Sequence, residues 1–133
     1  MNDDSPLKLQ GITKNYKEFH LGPIDLEVPR GYVMGLVGAN GAGKTTAIKI
    51  ALGAVLPGNG VVRLIDKSRV GVVLDQPPWP SSWRVRDIAK LVGPFYPDWN
   101  QRVFEELCGW AGVSWRLKVK EFSRGMGMKM QLA

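Results

Sequence analysis

Residues Gly38 to Thr45 run Gly-Ala-Asn-Gly-Ala-Gly-Lys-Thr, a full match to the phosphate-loop pattern G-x-x-x-x-G-K-S/T. A phosphate chain can be wrapped by backbone N–H groups only where the turns are ones glycine makes cheaply and no side chain intrudes. A helix starting near Lys44 adds unpaired N–H groups and the positive end of its dipole. In this arrangement Lys44 supplies a point charge for the β- and γ-phosphates, Thr45 offers a hydroxyl to Mg²⁺, and Thr46 adds contacts at the α-phosphate. At average composition, a chance match in a chain this size is on the order of 1% or less. The flanks agree with the motif. Val33-Met34-Gly35-Leu36-Val37 is continuously apolar, the pattern of a strand buried on both faces. From Lys44 to about Val55, Ala47, Ile48, Ala51, Leu52 and Val55 recur at helical spacing, while Ile50 fills much of the other side. The expectation is a largely buried helix.

The rest of the chain frames this loop. Leu7 to Ile12 and Ile24 to Val28 alternate apolar and polar residues, as half-exposed antiparallel strands do. Pro57-Gly58-Asn59-Gly60 is a turn cluster, and a strand is expected to leave it over Val61–Ile65. Val70-Gly71-Val72-Val73-Leu74 has the pattern of a second buried strand, stopped by Asp75-Gln76-Pro77-Pro78. Helical spacing then takes over, at about Val85–Leu91 and about Asn100–Ala111. In the latter, Val103, Phe104, Leu107, Cys108 and Ala111 share one face. Ser123 is placed as the N-cap of a last helix. The expected division is a P-loop core over 1–76 and a helical subdomain over 77–133.

Composition excludes some classes. With 44% apolar and 23% charged residues, the chain is not a disordered tail, a fibre or a coiled coil. No apolar run approaches the roughly 20 residues of a membrane span. The first six residues are acidic and polar, unlike a secretory leader, and Cys108 is the single cysteine; a cytosolic compartment is the expectation.

These residues together resemble the ATP-binding subunits of ABC transporters. Gly38 to Thr46 is similar to that family's phosphate loop, and Pro29-Arg30-Gly31-Tyr32 to the turn before it. Tyr16 stands where the family carries an aromatic that stacks on adenine. Phe122-Ser123-Arg124-Gly125-Met126, about 80 residues after Lys44, resembles the family signature, usually L-S-G-G-Q. The resemblance implies an α/β fold: a P-loop NTPase core with an N-terminal antiparallel sheet, then an α-helical subdomain, together an incomplete domain. It implies that Tyr16, Gly38, Ala39, Asn40, Gly41, Ala42, Gly43, Lys44, Thr45 and Thr46 hold ATP. Ser123, Arg124 and Gly125 would face the γ-phosphate on a second subunit, in a homo- or heterodimer. Lys44 and Gln76 are the implied catalytic pair, with Thr45 and Gln76 (or Asp75) beside Mg²⁺. Spacing favours Asp75 and residue type favours Gln76.

Arg124 and Met126 depart from the signature's glycine and glutamine. The family's carboxylate strand and switch histidine lie downstream of the signature helix and have no counterpart in the sequence, so the chain alone is expected to hydrolyse ATP negligibly. The implied partner is an integral-membrane permease subunit, with the protein peripheral on the inner face of the membrane. Trp79 and Trp83 are candidates for the groove that meets it. The formal charge of +6 gathers near Arg116, Lys118, Lys120, Arg124 and Lys129, a solvated face suited to ATP and anionic lipid; no nucleic acid is expected. The rival readings are a small P-loop nucleotide kinase, which leaves Ser123-Arg124-Gly125 unexplained, and an ABC-type ATPase acting on nucleic acid.

Overall fold

A strand presents alternate residues to one face, and by that rule Ile12 belongs on the opposite face from Leu7 and Leu9. The computed structural model, which describes residues 5–133, shows how β1 (Leu7–Asn15) escapes the rule. Gly11 adopts φ +57°, and the register with β2 (His20–Val28) shifts between Leu9 and Ile12. This bulge returns Ile12 to the side of Leu9, and both are buried in one core. Asp25 Oδ1 accepts the Gly11 N–H at 2.7 Å, so the group displaced from the ladder keeps a partner. β3 (Asn59–Leu64) pairs on the other edge of β1, giving an antiparallel sheet in the order β2-β1-β3.

Helix α1 (Lys44–Ala51) packs its Ala47, Ile50 and Ala51 against Leu9, Ile12 and Leu21. The buried stripe therefore differs from the expected one: Ile50 is 1% exposed and Ile48 is 50% exposed. The two isoleucines flank the Ala47/Ala51 line on opposite sides of the helix, and only the sheet's position decides which is covered. The helix also stops at Ala51, short of Val55, with Leu52 as C-cap and Gly53 in the left-handed region.

Two expected strands are absent. Val33–Val37 and Val70–Leu74 run without regular structure, and neither is buried: Val33 is 102% and Val37 94% exposed. A strand exists through its neighbours' N–H and C=O groups, and no described segment pairs with either stretch.

The chain divides into two compact units, the first reaching Lys67 and the second spanning Ser68–Ala133. The second holds α2 (Val85–Val92), α3 (Gln101–Trp110) and α4 (Arg124–Leu132). Asn100 caps α3, its side-chain oxygen accepting the Arg102 and Val103 N–H groups at 3.1 and 3.2 Å. Val85, Ile88, Phe104, Cys108, Val113 and Met130 lie in the core. Phe104 is wedged between Trp99 and Trp115, at ring separations of 4.8 and 6.1 Å. Of the expected α3 face, Phe104, Cys108 and Ala111 are buried, while Val103 and Leu107 reach solvent. Trp79 and Trp83 are half-buried against this core. Among the described residues, no helix is long and apolar enough to cross a membrane.

Two outcomes follow from these cores. Ile12→Ala in the 133-residue chain should cost about 2–5 kcal/mol in denaturant unfolding, while Val33→Ser should stay within about 0.5 kcal/mol. The Cys108 thiol, which donates to Met130 Sδ at 3.7 Å, is pushed up to about 11 by burial first and the Glu105 charge second. It should resist alkylation at pH 8 until the chain unfolds. Because the folded form holds this proton more tightly, stability should fall as pH rises from the ordinary thiol value of 9.0 toward 11.

Candidate nucleotide-binding site

The loop before α1 is held by its own lysine. Lys44 Nζ donates to the carbonyls of Gly38 at 2.5 Å and Ala39 at 2.7 Å. Inside this ring the Ala42 N–H donates to Ala39 O at 3.2 Å, and the Ala47 N–H donates to Gly43 O at 2.8 Å. Gly43 is the N-cap of α1 at φ +88°. A Cβ there would strike Leu21 Cδ1 and lie 2.8 Å from the Phe19 ring. The residue type is therefore required twice, by backbone conformation and by contact.

The first turn of α1 carries no acidic side chain and no side-chain cap. Its leading N–H groups and dipole are thus available to an anion. Thr45 is exposed and Thr46 half-exposed beside them. A phosphate chain fits this donor set, with Lys44 supplying a charge and Thr45 an oxygen suited to Mg²⁺.

Tyr16, at the turn leaving β1, is 47% exposed. Its ring stacks on Phe19, with centroids 6.4 Å apart and planes 29° from parallel. The Tyr16 N–H donates to Phe19 O at 2.8 Å. Phe19 is the residue that sequence reasoning missed: it touches the aromatic on one side and Gly43 on the other. The spacing Tyr16-Lys17-Glu18-Phe19 was the available signal, since a tight turn brings such residues together.

The remaining expected residues gather in the second unit. Asp75, Gln76, Pro77, Phe122, Ser123 and Arg124 line one pocket. Ser123 Oγ accepts the Met126 N–H at 3.2 Å and caps α4, leaving its hydroxyl proton free to donate elsewhere. Arg124 Nη2 stands 3.7 Å from Asp75 Oδ1, an exposed pair worth at most about 1 kcal/mol. Gly125 has open space around its Cα. A second residue was missed here. The Gln131 side chain accepts the Leu74 N–H at 2.8 Å and donates to Leu74 O at 2.9 Å. It thus stands in for a neighbouring strand beside the Asp75-Gln76 loop.

The sequence model of one family, ABC transporter, matches residues 21–133. The chain belongs to the ABC transporter family. It is 37% identical over 102 residues to the bacitracin transport ATP-binding protein BcrA of Enterococcus faecalis, covering 65% of this chain and 33% of that one. To the lantibiotic transport ATP-binding protein SrtF of Streptococcus pyogenes it is 29% identical, over 96% of this chain and 59% of the relative. The chain thus spans about three-fifths or less of these relatives' length. Among solved structures, an ATP-binding subunit of an ABC transporter superposes with TM-score 0.80 at 19% identity, over 96% of this chain and 60% of that one. An ABC transporter ATP-binding protein from Pyrococcus furiosus gives 0.74 at 23%, over 95% and 67%. The fold is that of an ABC ATPase domain, α/β with an N-terminal antiparallel sheet.

Gly43→Ala should destabilise the first unit by about 1–2 kcal/mol or more, from the left-handed backbone alone. Gly125→Ala, in an open helical position, should instead stabilise by up to about 1 kcal/mol. Chemical denaturation of the two variants compares them directly.

Proposed function

We propose that this chain is the nucleotide-holding part of an ABC transporter ATPase, which couples ATP binding and hydrolysis to transport through a membrane permease. The observation that carries the reading is the closed loop in which Lys44 spans Gly38 and Ala39 at the uncapped start of α1. In the proposed complex, Gly38 to Gly43 present backbone N–H groups to the phosphates, and Lys44 leaves its two carbonyls to neutralise the β- and γ-phosphates. Thr45 and Thr46 follow from the first helical turn. Mg²⁺, when bound, neutralises phosphate charge as the bond to the γ-phosphate breaks. Tyr16, backed by Phe19, offers the ring face for adenine.

In the second unit, Ser123 and the Gly125 N–H act as donors toward the γ-phosphate on a second subunit. Arg124 in the signature adds a cation there that a glycine lacks. Asp75 is engaged by Arg124, which favours Gln76 as the loop's metal-proximal oxygen. The permease contact and a homo- or heterodimer of ATP-binding subunits belong to the same proposal, with the protein peripheral on the inner membrane face. The full-length protein would then be an ATPase, and the 133-residue chain a binder with negligible turnover.

The test is titration with a fluorescent ATP analogue. Lys44→Ala should weaken binding at least tenfold, and Tyr16→Ala by about 1–3 kcal/mol if its ring meets the base. Turnover should appear only in a version extended by the next hundred or so residues, a domain being commonly about 100–200 residues long. Equal hydrolysis by the short and extended chains would remove the proposed need for downstream catalytic groups. Undiminished binding by Lys44→Ala would remove the phosphate-loop assignment itself.

A further inference from the structure

Two short stretches of the second unit share a pattern: Trp83-Arg84-Val85-Arg86 and Trp115-Arg116-Leu117-Lys118-Val119-Lys120. The structure pairs them. The Val119 N–H donates to Trp83 O at 2.9 Å, Val85 to Leu117 O at 3.1 Å, and Arg86 to Trp115 O at 3.2 Å. Arg84 and Lys118 sit directly opposite each other as an antiparallel pair. The pairing is this one bridge, since Val85 already opens α2 and Val119–Glu121 is a tight helical turn. Trp83, Val85, Trp115, Leu117 and Val119 turn into the helical core, and the residues between them are all cations.

Like charges placed opposite one another across a pair of strands destabilise it. The two bordering acids, Asp87 and Glu121, only partly offset the five cations Arg84, Arg86, Arg116, Lys118 and Lys120. Glu121 accepts the Lys118 backbone N–H at 2.7 Å, and Asp87 accepts that of Arg84 at 2.8 Å. Asp87 also stands 3.7 Å from Arg86. Arg86, Arg116 and Lys120 are exposed, and Arg84 and Lys118 are half-exposed.

We propose that this ribbon, formed by Arg84, Arg86, Arg116, Lys118 and Lys120, is a docking surface for an anionic lipid bilayer. Its make-up favours that partner over others. A protein interface has an apolar centre and few lysines, whereas here every apolar side chain of the ribbon is already used by the core. Single-stranded nucleic acid needs outward aromatic faces on which bases stack, and both tryptophans face inward. A layer of anionic headgroups requires only a dense cationic face, each Lys or Arg adding about fivefold to partitioning. The inference stands apart from the nucleotide site, because none of these residues belongs to it.

Co-sedimentation of the 133-residue chain with vesicles tests it. Binding should be strong to phosphatidylcholine vesicles containing phosphatidylglycerol, negligible to pure phosphatidylcholine, and lost at high salt. Arg116→Gln/Lys118→Gln/Lys120→Gln should weaken the anionic-vesicle binding at least tenfold, with circular dichroism unchanged, while Lys118→Arg/Lys120→Arg retains it. If the triple variant does not fold, the lipid and salt dependence of the unaltered chain decides. Absence of binding to anionic vesicles, equal binding to both vesicle types, or a triple variant that folds and binds undiminished would overturn the proposal. So would tighter binding to duplex DNA or to a Glu-rich peptide than to the anionic vesicles. ATP-analogue binding measured on the same samples reads the nucleotide site separately.

Discussion

Helix α1 rests on Phe19 and Leu21 through a residue that has no side chain. Gly43 lets the backbone enter the helix from the left-handed region while its Cα lies against these two side chains. Much of the first unit depends on that contact. It sets α1 close enough to the sheet for Ala47, Ile50 and Ala51 to close over Leu9 and Ile12. It also fixes the direction in which the uncapped first turn points. The same packing that stabilises the unit thus aims its N–H donors, so stability and the direction of these donors cannot be varied independently at this position.

The loop around that helix start is closed by Lys44 on the carbonyls of Gly38 and Ala39. A lysine bonded to neutral carbonyls is readily re-directed to phosphate, because charge-assisted bonds to an anion are stronger. The loop is therefore built in advance, and little ordering remains to oppose binding. Phe19 carries this order outward from the loop. By touching both Gly43 and Tyr16, it ties the position of the exposed aromatic to that of the loop. The second unit shows a parallel economy in Gln131, whose one amide group satisfies both backbone groups of Leu74.

Much of this was legible in the chain itself. The phosphate-loop pattern is a local object, its glycines and lysine all lying between Gly38 and Lys44, so it is legible in spacing alone. The cap at Ser123 was legible for the same reason, whereas spacing marks Asn100 only as the start of a helix and the structure shows it as the cap. Ile12 was placed in a plainly alternating strand, yet its burial depends on a bulge that alternation does not announce. Spacing puts Ile48 in the apolar stripe and Ile50 on the other side, and the sheet reverses them, because both border the Ala47/Ala51 line and only the sheet selects between them. Phe19 meets Gly43, and Gln131 meets Leu74, across separations that no one-dimensional period brings together.

The two apolar stretches at Val33–Val37 and Val70–Leu74 mark the boundary most clearly. Their composition, continuous β-branched and aliphatic residues, is determined by sequence and expresses a capacity to be buried on both faces. Whether such a stretch becomes a strand is decided by neighbours that offer ladder hydrogen bonds, and no described segment does so here. The ribbon of cations at Arg84 and Lys118 lies on the other side of that boundary. The sequence by itself determined the charges, the phosphate-loop pattern and the Ser123 cap, all of which act within a few residues. Only the tertiary structure decided which isoleucine is covered, which aromatic lies against Gly43 and which cations share a face. These outcomes come from contacts between segments distant in sequence, where packing and hydrogen-bond partners override local preference.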